Sequence, residues 1–226
     1  MMRFTYGLAS KLTSLALVTM LSACGGSDSS EGSGGGTLTN NKAYIGYINA
    51  TDIPVSFYAK NTGTTTSLYH DDNLTVTLLE QQASENLPHR WLGNSVSDFG
   101  VREANYRSKS ATLSATLVDK QNYWLLAWQN GNSFELNHLI KTSDNQDGVY
   151  RVRLFSNSVQ NVYVNGNTSA EFTVQKGQVS QYVTVNDCTA LMVDDNEIDL
   201  CQSGNLGKSY LAVVNEQGLL VLVEEG

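Results

Sequence analysis

Histidine is scarce in this 226-residue chain. His70, His89 and His138 are the only three, and they sit in unrelated contexts. No Gly-x-Ser-x-Gly elbow accompanies them. Nucleophilic catalysis needs a Ser or Cys beside a base that is itself oriented by an acid. Nothing in the chain spells that arrangement, so the expectation is a protein that is not an enzyme and carries no cofactor. Cations are also few: 14 Lys and Arg stand against 22 Asp and Glu, a formal charge of −8. An acidic surface repels nucleic acid and gains nothing by charge at an anionic lipid surface. Long helix-period runs are missing, which argues against a helical fold. Two of the three cysteines, Cys188 and Cys201, have no neighbouring His, which makes a poor zinc site. No metal is expected.

What is present begins at the N-terminus. Arg3 and Lys11 precede the apolar stretch Leu12 to Leu21, and Leu21-Ser22-Ala23-Cys24-Gly25 follows. A basic start, a short apolar core and small residues before a cut site describe an export signal. The apolar core is shorter than the roughly 20 residues a spanning helix needs. The Leu-Ser-Ala-Cys tetrad resembles the lipobox of bacterial lipoproteins. That resemblance implies cleavage after residue 23, acylation of Cys24 (palmitate among the chains) and attachment to a membrane. An ordinary signal peptide with a chance cysteine is the alternative. Residues 24–39 are rich in Gly and Ser and read as a flexible tether, spanning on the order of 20 Å. In such lipoproteins an Asp directly after the lipidated Cys favours the inner membrane. Gly25 stands there instead, which by resemblance implies the outer membrane, facing either the periplasm or the cell surface. Loss of residues 1–23 removes Arg3 and Lys11 and no acid, leaving 12 basic residues against 22 acidic.

Cys188 and Cys201 are an even pair in what would be an oxidising compartment. Between them Asp194-Asp195-Asn196-Glu197 is a turn signal flanked by apolar stretches. A hairpin there brings the two ends together, so a disulfide is expected; free thiols or a metal pair are the alternatives.

The rest reads as short strands, in a pattern that occurs twice. Tyr44–Ala50 and Val55–Ala59 flank the turn Thr51-Asp52-Ile53-Pro54, and Tyr150–Ser156 and Val162–Gly166 flank another, each read as a hairpin. Gly93–Val101 echoes Gly177–Val185, and Tyr123–Trp128 echoes Tyr210–Val214. Ordered matches predict tandem β-sandwich domains over residues 40–142 and 148–226, with an insertion near 60–92 in the first. Asp144-Asn145-Gln146-Asp147-Gly148 is the expected joint.

Three segments carry a resemblance: Thr51-Asp52-Ile53-Pro54-Val55, Ser180-Gln181-Tyr182 and Tyr210-Leu211-Ala212-Val213-Val214. They are similar to segments of secreted and envelope-attached bacterial proteins built from repeated immunoglobulin-like domains of unknown function. The resemblance implies an all-β fold of two tandem immunoglobulin-like antiparallel sandwiches after the lipidated tether. It brings no catalytic residues.

The remaining leads concern binding. His70-Asp71-Asp72 has metal-like chemistry but reads as a polar turn. The acidic segments at 144–148 and 194–197 have calcium-like oxygens without the spacing of a calcium loop. Trp124 and Trp128 share one strand face, and Tyr123, Leu125 and Ala127 share the other. One face is core; the other is either core too or a platform for a sugar or partner chain. Trp91, His89 and Arg90 fall in the insertion, where a sandwich concentrates its binding loops, and are the expected ligand-binding residues. The functional expectation is a non-catalytic cell-envelope lipoprotein acting as a structural, assembly or adhesive binding module. Its partner would be an envelope protein or surface polysaccharide. The alternative is a carbohydrate-binding module using loop aromatics such as Trp91.

Overall fold

The computed structural model describes residues 40–93, 96–201 and 204–226. The expected signal segment 1–23, Cys24 and the tether 24–39 lie outside the described residues. The chain first forms β1 (Asn40–Ala50), β2 (Val55–Asn61), β3 (Leu74–Leu78), β4 (Gln82–Ala83) and β5 (Leu87–Leu92). It continues with β6 (Val96–Glu103), β7 (Ser110–Thr116), β8 (Asn122–Asn130) and β9 (Ser133–Ile140). Then follow β10 (Tyr150–Ser156), β11 (Gln160–Val164), β12 (Phe172–Val174), β13 (Val183–Val185) and β14 (Leu191–Val193). The last are β15 (Asn196–Glu197), β16 (Ser209–Asn215) and β17 (Gly218–Glu224). Among the described residues the one helical element is a 3-10 turn at Asp71–Asn73. The all-β class expected from the sequence is what the molecule has.

Four sheets result. Sheet I runs β3-β2-β6-β7 and sheet II runs β4-β1-β8-β9, with β5 also paired to β1. Sheet III runs β13-β10-β16-β17 and sheet IV runs β12-β11-β14-β15. Replacing β1, β2, β3, β4, β6, β7, β8 and β9 by β10 through β17 in turn converts the first two orders into the last two. Within that scheme β5 has no counterpart. Both central pairs, β1 with β8 and β10 with β16, are parallel, and the remaining strand pairs are antiparallel.

Alternation along the strands explains the layering. Ala43, Ile45 and Tyr47 of β1, with Tyr123, Leu125 and Ala127 of β8, meet Val55, Phe57, Phe99 and Val101 of sheet I in one core. Val152 and Leu154 of β10 and Ala212 and Val214 of β16 meet Val162, Val164, Leu191 and Val193 of sheet IV in another. The opposite faces of the same central strands make a third apolar cluster: Ile48, Trp124, Leu126 and Trp128 from sheet II against Phe155, Leu211 and Val213 from sheet III. Sheets II and III are therefore buried on both sides, which is where parallel strands and unbroken apolar runs belong. Tyr123–Trp128 and Tyr210–Val214 are such runs, buried at every residue. The described residues form one compact body. Gly46 permits the close approach: a Cβ there would lie 2.1 Å from Cζ3 of Trp124, its register partner on β8.

A polar latch closes one end of this third cluster. Glu225 and Arg153, both buried, form an ion pair, with Arg153 Nε donating to Glu225 Oε2 at 2.5 Å. Arg153 also donates to the Ile140 carbonyl at 2.8 Å, and Trp124 Nε1 donates to Glu225 Oε1 at 3.2 Å. The Tyr182 hydroxyl reaches Glu225 Oε2 and the Thr142 carbonyl, and burial beside that carboxylate pushes its pKa up to about 12. At the other end Asn137 accepts from Trp128 Nε1 at 2.6 Å and donates to the Gly177 carbonyl at 3.0 Å. The expected joint is tied down as well. Asp144 pairs with Arg151, and Asn145 Oδ1 accepts from the Ser209 amide at 2.8 Å.

Several local expectations need correction. β1 and β2 sit in different sheets, as do β10 and β11, so neither duplicated segment is a hairpin; each is an arch that crosses a core. Gly93–Val101 and Gly177–Val185 are not equivalent: the first contributes β6 at the centre of sheet I, the second β13 at the edge of sheet III. The 60–92 region is no simple loop insertion either, since it contains β3, β4 and β5. The Cys pair does form a disulfide, with Cα atoms 5.0 Å apart, closing the β14–β15 hairpin that turns at Asp194.

Removing Glu225 leaves Arg153 as an unpaired buried cation. Glu225→Ala is expected to cost about 3–5 kcal/mol in urea unfolding, with much of the loss recovered in an Arg153→Met/Glu225→Leu double variant. Cys188→Ser/Cys201→Ser is expected to cost about 3 kcal/mol in the same experiment, because a short loop of unfolded chain is released.

Candidate functional site

Sheet III covers only part of the outer face of sheet II. It seals Ile48 and Ala50 of β1, but the start of the strand runs on past it, leaving Lys42 and Tyr44 partly uncovered. Alternation puts Asn40, Lys42 and Tyr44 on this outer face, opposite Ala43 and Ile45 in the core. β5 lies alongside in antiparallel register, Lys42 facing Arg90 and Tyr44 facing Pro88. The result is a polar ledge bordering an open groove of about 730 Å³, lined by Lys42, Tyr44, Asn86, Arg90, Lys120 and Asn122 among others.

The ledge is held from beneath. The Lys42 amide donates to Asp119 Oδ1 at 2.9 Å, and the Lys120 amide donates to the Lys42 carbonyl at 2.7 Å. Lys42 Nζ lies 4.1 Å from the centre of the Tyr44 ring and donates to its hydroxyl. Lys141 sits behind, its ammonium 3.2 Å from the centre of the Trp124 ring and bonded to Asn86 Oδ1 at 2.5 Å. Burial lowers the Lys141 pKa to about 8, against the opposing pull of Glu225.

A second groove of about 580 Å³ opens at the mouth between sheets I and II. Asn61, Thr62, Thr64, Trp91 and Leu92 line it, and Asn40 and Arg90 line both grooves. Asn61 Nδ2 donates to the Arg90 carbonyl at 3.1 Å. Its Oδ1 and the Nε1–H of Trp91 are buried and have no partner among the described residues. Unpaired buried polar groups are uncommon in folded proteins.

Of the three expected ligand-binding residues, the structure places only Arg90 in the open. They lie not on a loop but on β5, whose alternation turns Trp91 and His89 inward and Arg90 and Leu92 outward. Trp91 is 2 % exposed and packs in the core with Phe99 and Tyr123, so its ring cannot serve as a stacking platform. His89 Nε2 lies 2.9 Å from Ser97 Oγ, and its ring stacks near Trp91 and lies tilted against Phe99. This Ser-His contact is no nucleophile, because Ser97 is fully buried. Burial lowers the pKa of His89 and of His138, whose ring stacks 4.3 Å from Tyr123. Trp124 and Trp128, open at first between core and platform, are core.

The other leads are absorbed by local structure. His70 Nδ1 accepts from the Asp72 amide at 3.3 Å, capping the exposed 3-10 turn. Asp194 Oδ1 accepts from the Asn161 amide at 2.9 Å. Among the described residues no group of three or more His, Cys, Asp or Glu could hold a metal ion. Sequence reasoning missed Lys42, Tyr44 and Asn61. The Lys42-Ala43-Tyr44-Ile45 alternation was a signal for an outward polar face, but not for which neighbour would leave it open.

No family model matches the chain, and no curated protein matches it.

His89 and His138 are held below the ordinary imidazole value near 6.5. Protonation therefore favours the unfolded chain. Their contribution is complete above about pH 6.5 and is lost as pH falls through and below it. The thermal midpoint is expected to drop between pH 7.5 and pH 5, and the drop is expected to shrink in a His89→Gln/His138→Phe variant, measured by circular dichroism.

Proposed function

We propose that this chain is a non-catalytic cell-envelope lipoprotein, carried on an N-terminal lipid at the outer membrane, that works as a binding module of structural, assembly or adhesive type. We read its two sheet pairs as tandem immunoglobulin-like domains, which fits the repeated strand order and the arched β1–β2 and β10–β11 connections. The observation that carries the reading is the double burial of sheets II and III. The chemistry-bearing residues in the centre of the molecule, Arg153, Glu225, Trp124 and Asn137, are spent on holding sheets together. An accessible polar ledge lies beside Asn40, the first of the described residues. A body whose central side chains are spent on packing and whose open ledge is polar suits contact with an envelope component. The version of the sugar reading that relied on an exposed Trp91 is set aside because that ring is buried.

Wild-type protein is expected to incorporate labelled palmitate and to fractionate with the outer membrane. Cys24→Ser is expected to lose both properties. Crosslinking in intact cells, followed by capture in detergent, is expected to bring down one stoichiometric envelope protein or a surface polysaccharide. Recovery of wild-type protein from the cytoplasm, unlabelled, would refute the lipoprotein assignment. Absence of any retained component would refute the binding role.

A further inference from the structure

We propose that the two grooves meeting at Arg90 form one site for an acidic carbohydrate, an inference that rests on the binding-module reading above and names its ligand. Three observations carry it.

The first is charge. The chain has 22 acidic residues against 14 basic, yet Lys42, Arg90 and Lys120 converge on one groove whose lining includes a single carboxylate, Asp119. Asp119 lies 4.0 Å from Lys120. Arg90 is exposed and has no ion-pair partner among the described residues. Lys42 and Arg90 are directly opposed across β1 and β5. Like charges in that position repel, and an anion between them removes the repulsion. A guanidinium fork is well suited to gripping a carboxylate or phosphate through two hydrogen bonds.

The second is the pair of unsatisfied groups. Trp91 lines the mouth groove, is 2 % exposed, and leaves its Nε1–H without a partner among the described residues. Asn61 lines the same groove and leaves its Oδ1 likewise. One is a donor and the other an acceptor. Hydroxyl groups supply both kinds of partner, whereas a simple anion supplies acceptors only.

The third is the setting. Tyr44, 38 % exposed, offers an aromatic ring on the ledge, and Asn86, Asn122 and Asn40 add amides along the groove. Amides and an aromatic ring around a small charged centre match a sugar unit bearing one acid group. A long polyanion is disfavoured, because the acidic body repels it beyond the ledge.

The test uses the mature full-length lipoprotein in detergent and titration calorimetry. The probes are short acidic oligosaccharides with one carboxylate each, the hyaluronan disaccharide and glucuronosyl-xylobiose, with cellobiose and xylotriose as neutral counterparts. The acidic oligosaccharides are expected to bind saturably and the neutral ones at least about tenfold more weakly. Arg90→Ala is expected to weaken acidic binding by roughly tenfold to a hundredfold, the loss typical of a charged hydrogen-bonded contact. Trp91→Phe keeps a ring in the core and removes only the N–H, and is expected to weaken binding about fivefold. Thermal melts of both variants report whether the fold is intact. If Trp91→Phe unfolds, Asn61→Ala provides the second reading of the mouth groove. The proposal is overturned if no acidic oligosaccharide binds, if neutral ones bind as tightly, or if folded Arg90→Ala binds like wild type. Arg90-dependent binding to phosphatidylglycerol vesicles without oligosaccharide binding would overturn it in favour of a lipid contact. Failure of every sugar, alongside a stoichiometric envelope protein captured from cells, would sink this site and leave the binding-module reading standing.

Discussion

Sheets II and III each present an apolar face to both neighbours, and this double burial sets the terms for the other elements. A strand buried on one side can alternate apolar and polar residues; one buried on both sides cannot. Tyr123–Trp128 and Tyr210–Val214 accordingly run apolar without a break. The indole of Trp124 fills the space that Gly46 leaves. Its Nε1–H then needs an acceptor inside a closed interface, and Glu225 supplies it at 3.2 Å. Glu225 in turn needs a cation, which is Arg153. The polar latch thus follows from filling an apolar interface with a side chain that carries a donor. An isolated buried ion pair seldom adds net stability over apolar residues of the same shape. Its value here is that it aligns the C-terminal segment, Ile140 and Tyr182 around one point.

The same packing creates the open surface. Two sheets that cross as faces do not overlap completely, and β1 is long enough to extend beyond the part that sheet III covers. The uncovered residues are polar because they meet water. β5, which has no counterpart in the second sheet pair, widens this ledge and adds Arg90 to it. The departure from the repeated plan therefore adjoins the candidate site and contributes Arg90 to it.

Much of the architecture was legible from short-range pattern. Strand content follows from alternation and from Thr, Val and Tyr in short runs, and the disulfide follows from a turn signal midway between two cysteines. The repeated order of β1-β2 and β8-β9 in β10-β11 and β16-β17 showed in the spacing of aromatic-bearing segments. Less legible was whether neighbouring strands pair or part. Thr51-Asp52-Ile53-Pro54 looks like a hairpin turn, yet Asn49 binds the Ile53 and Leu79 carbonyls at 2.9 and 2.8 Å and shapes an arch into the opposite sheet. A local sequence carries the bend but not the hydrogen-bond partner of the strand beyond it.

By itself the sequence determined the all-β class, the acidic balance, the pairing of Cys188 with Cys201 and the likeness of its first residues to a lipidated export signal, because each depends on composition or on residues close along the chain. The direction in which β5 faces was decided by tertiary structure alone. Leu87 to Leu92 holds three apolar residues and three polar or imino ones, and either face could have gone inward. Register with β1 put Trp91 in the core and Arg90 in water. Whether Trp124 and Trp128 meet solvent or protein likewise depended on a second sheet more than 80 residues further along, at Leu211 and Val213. Burial is a property of what arrives from elsewhere in the chain, and that is why the candidate site emerged beside the tryptophan that the sequence singled out rather than on it.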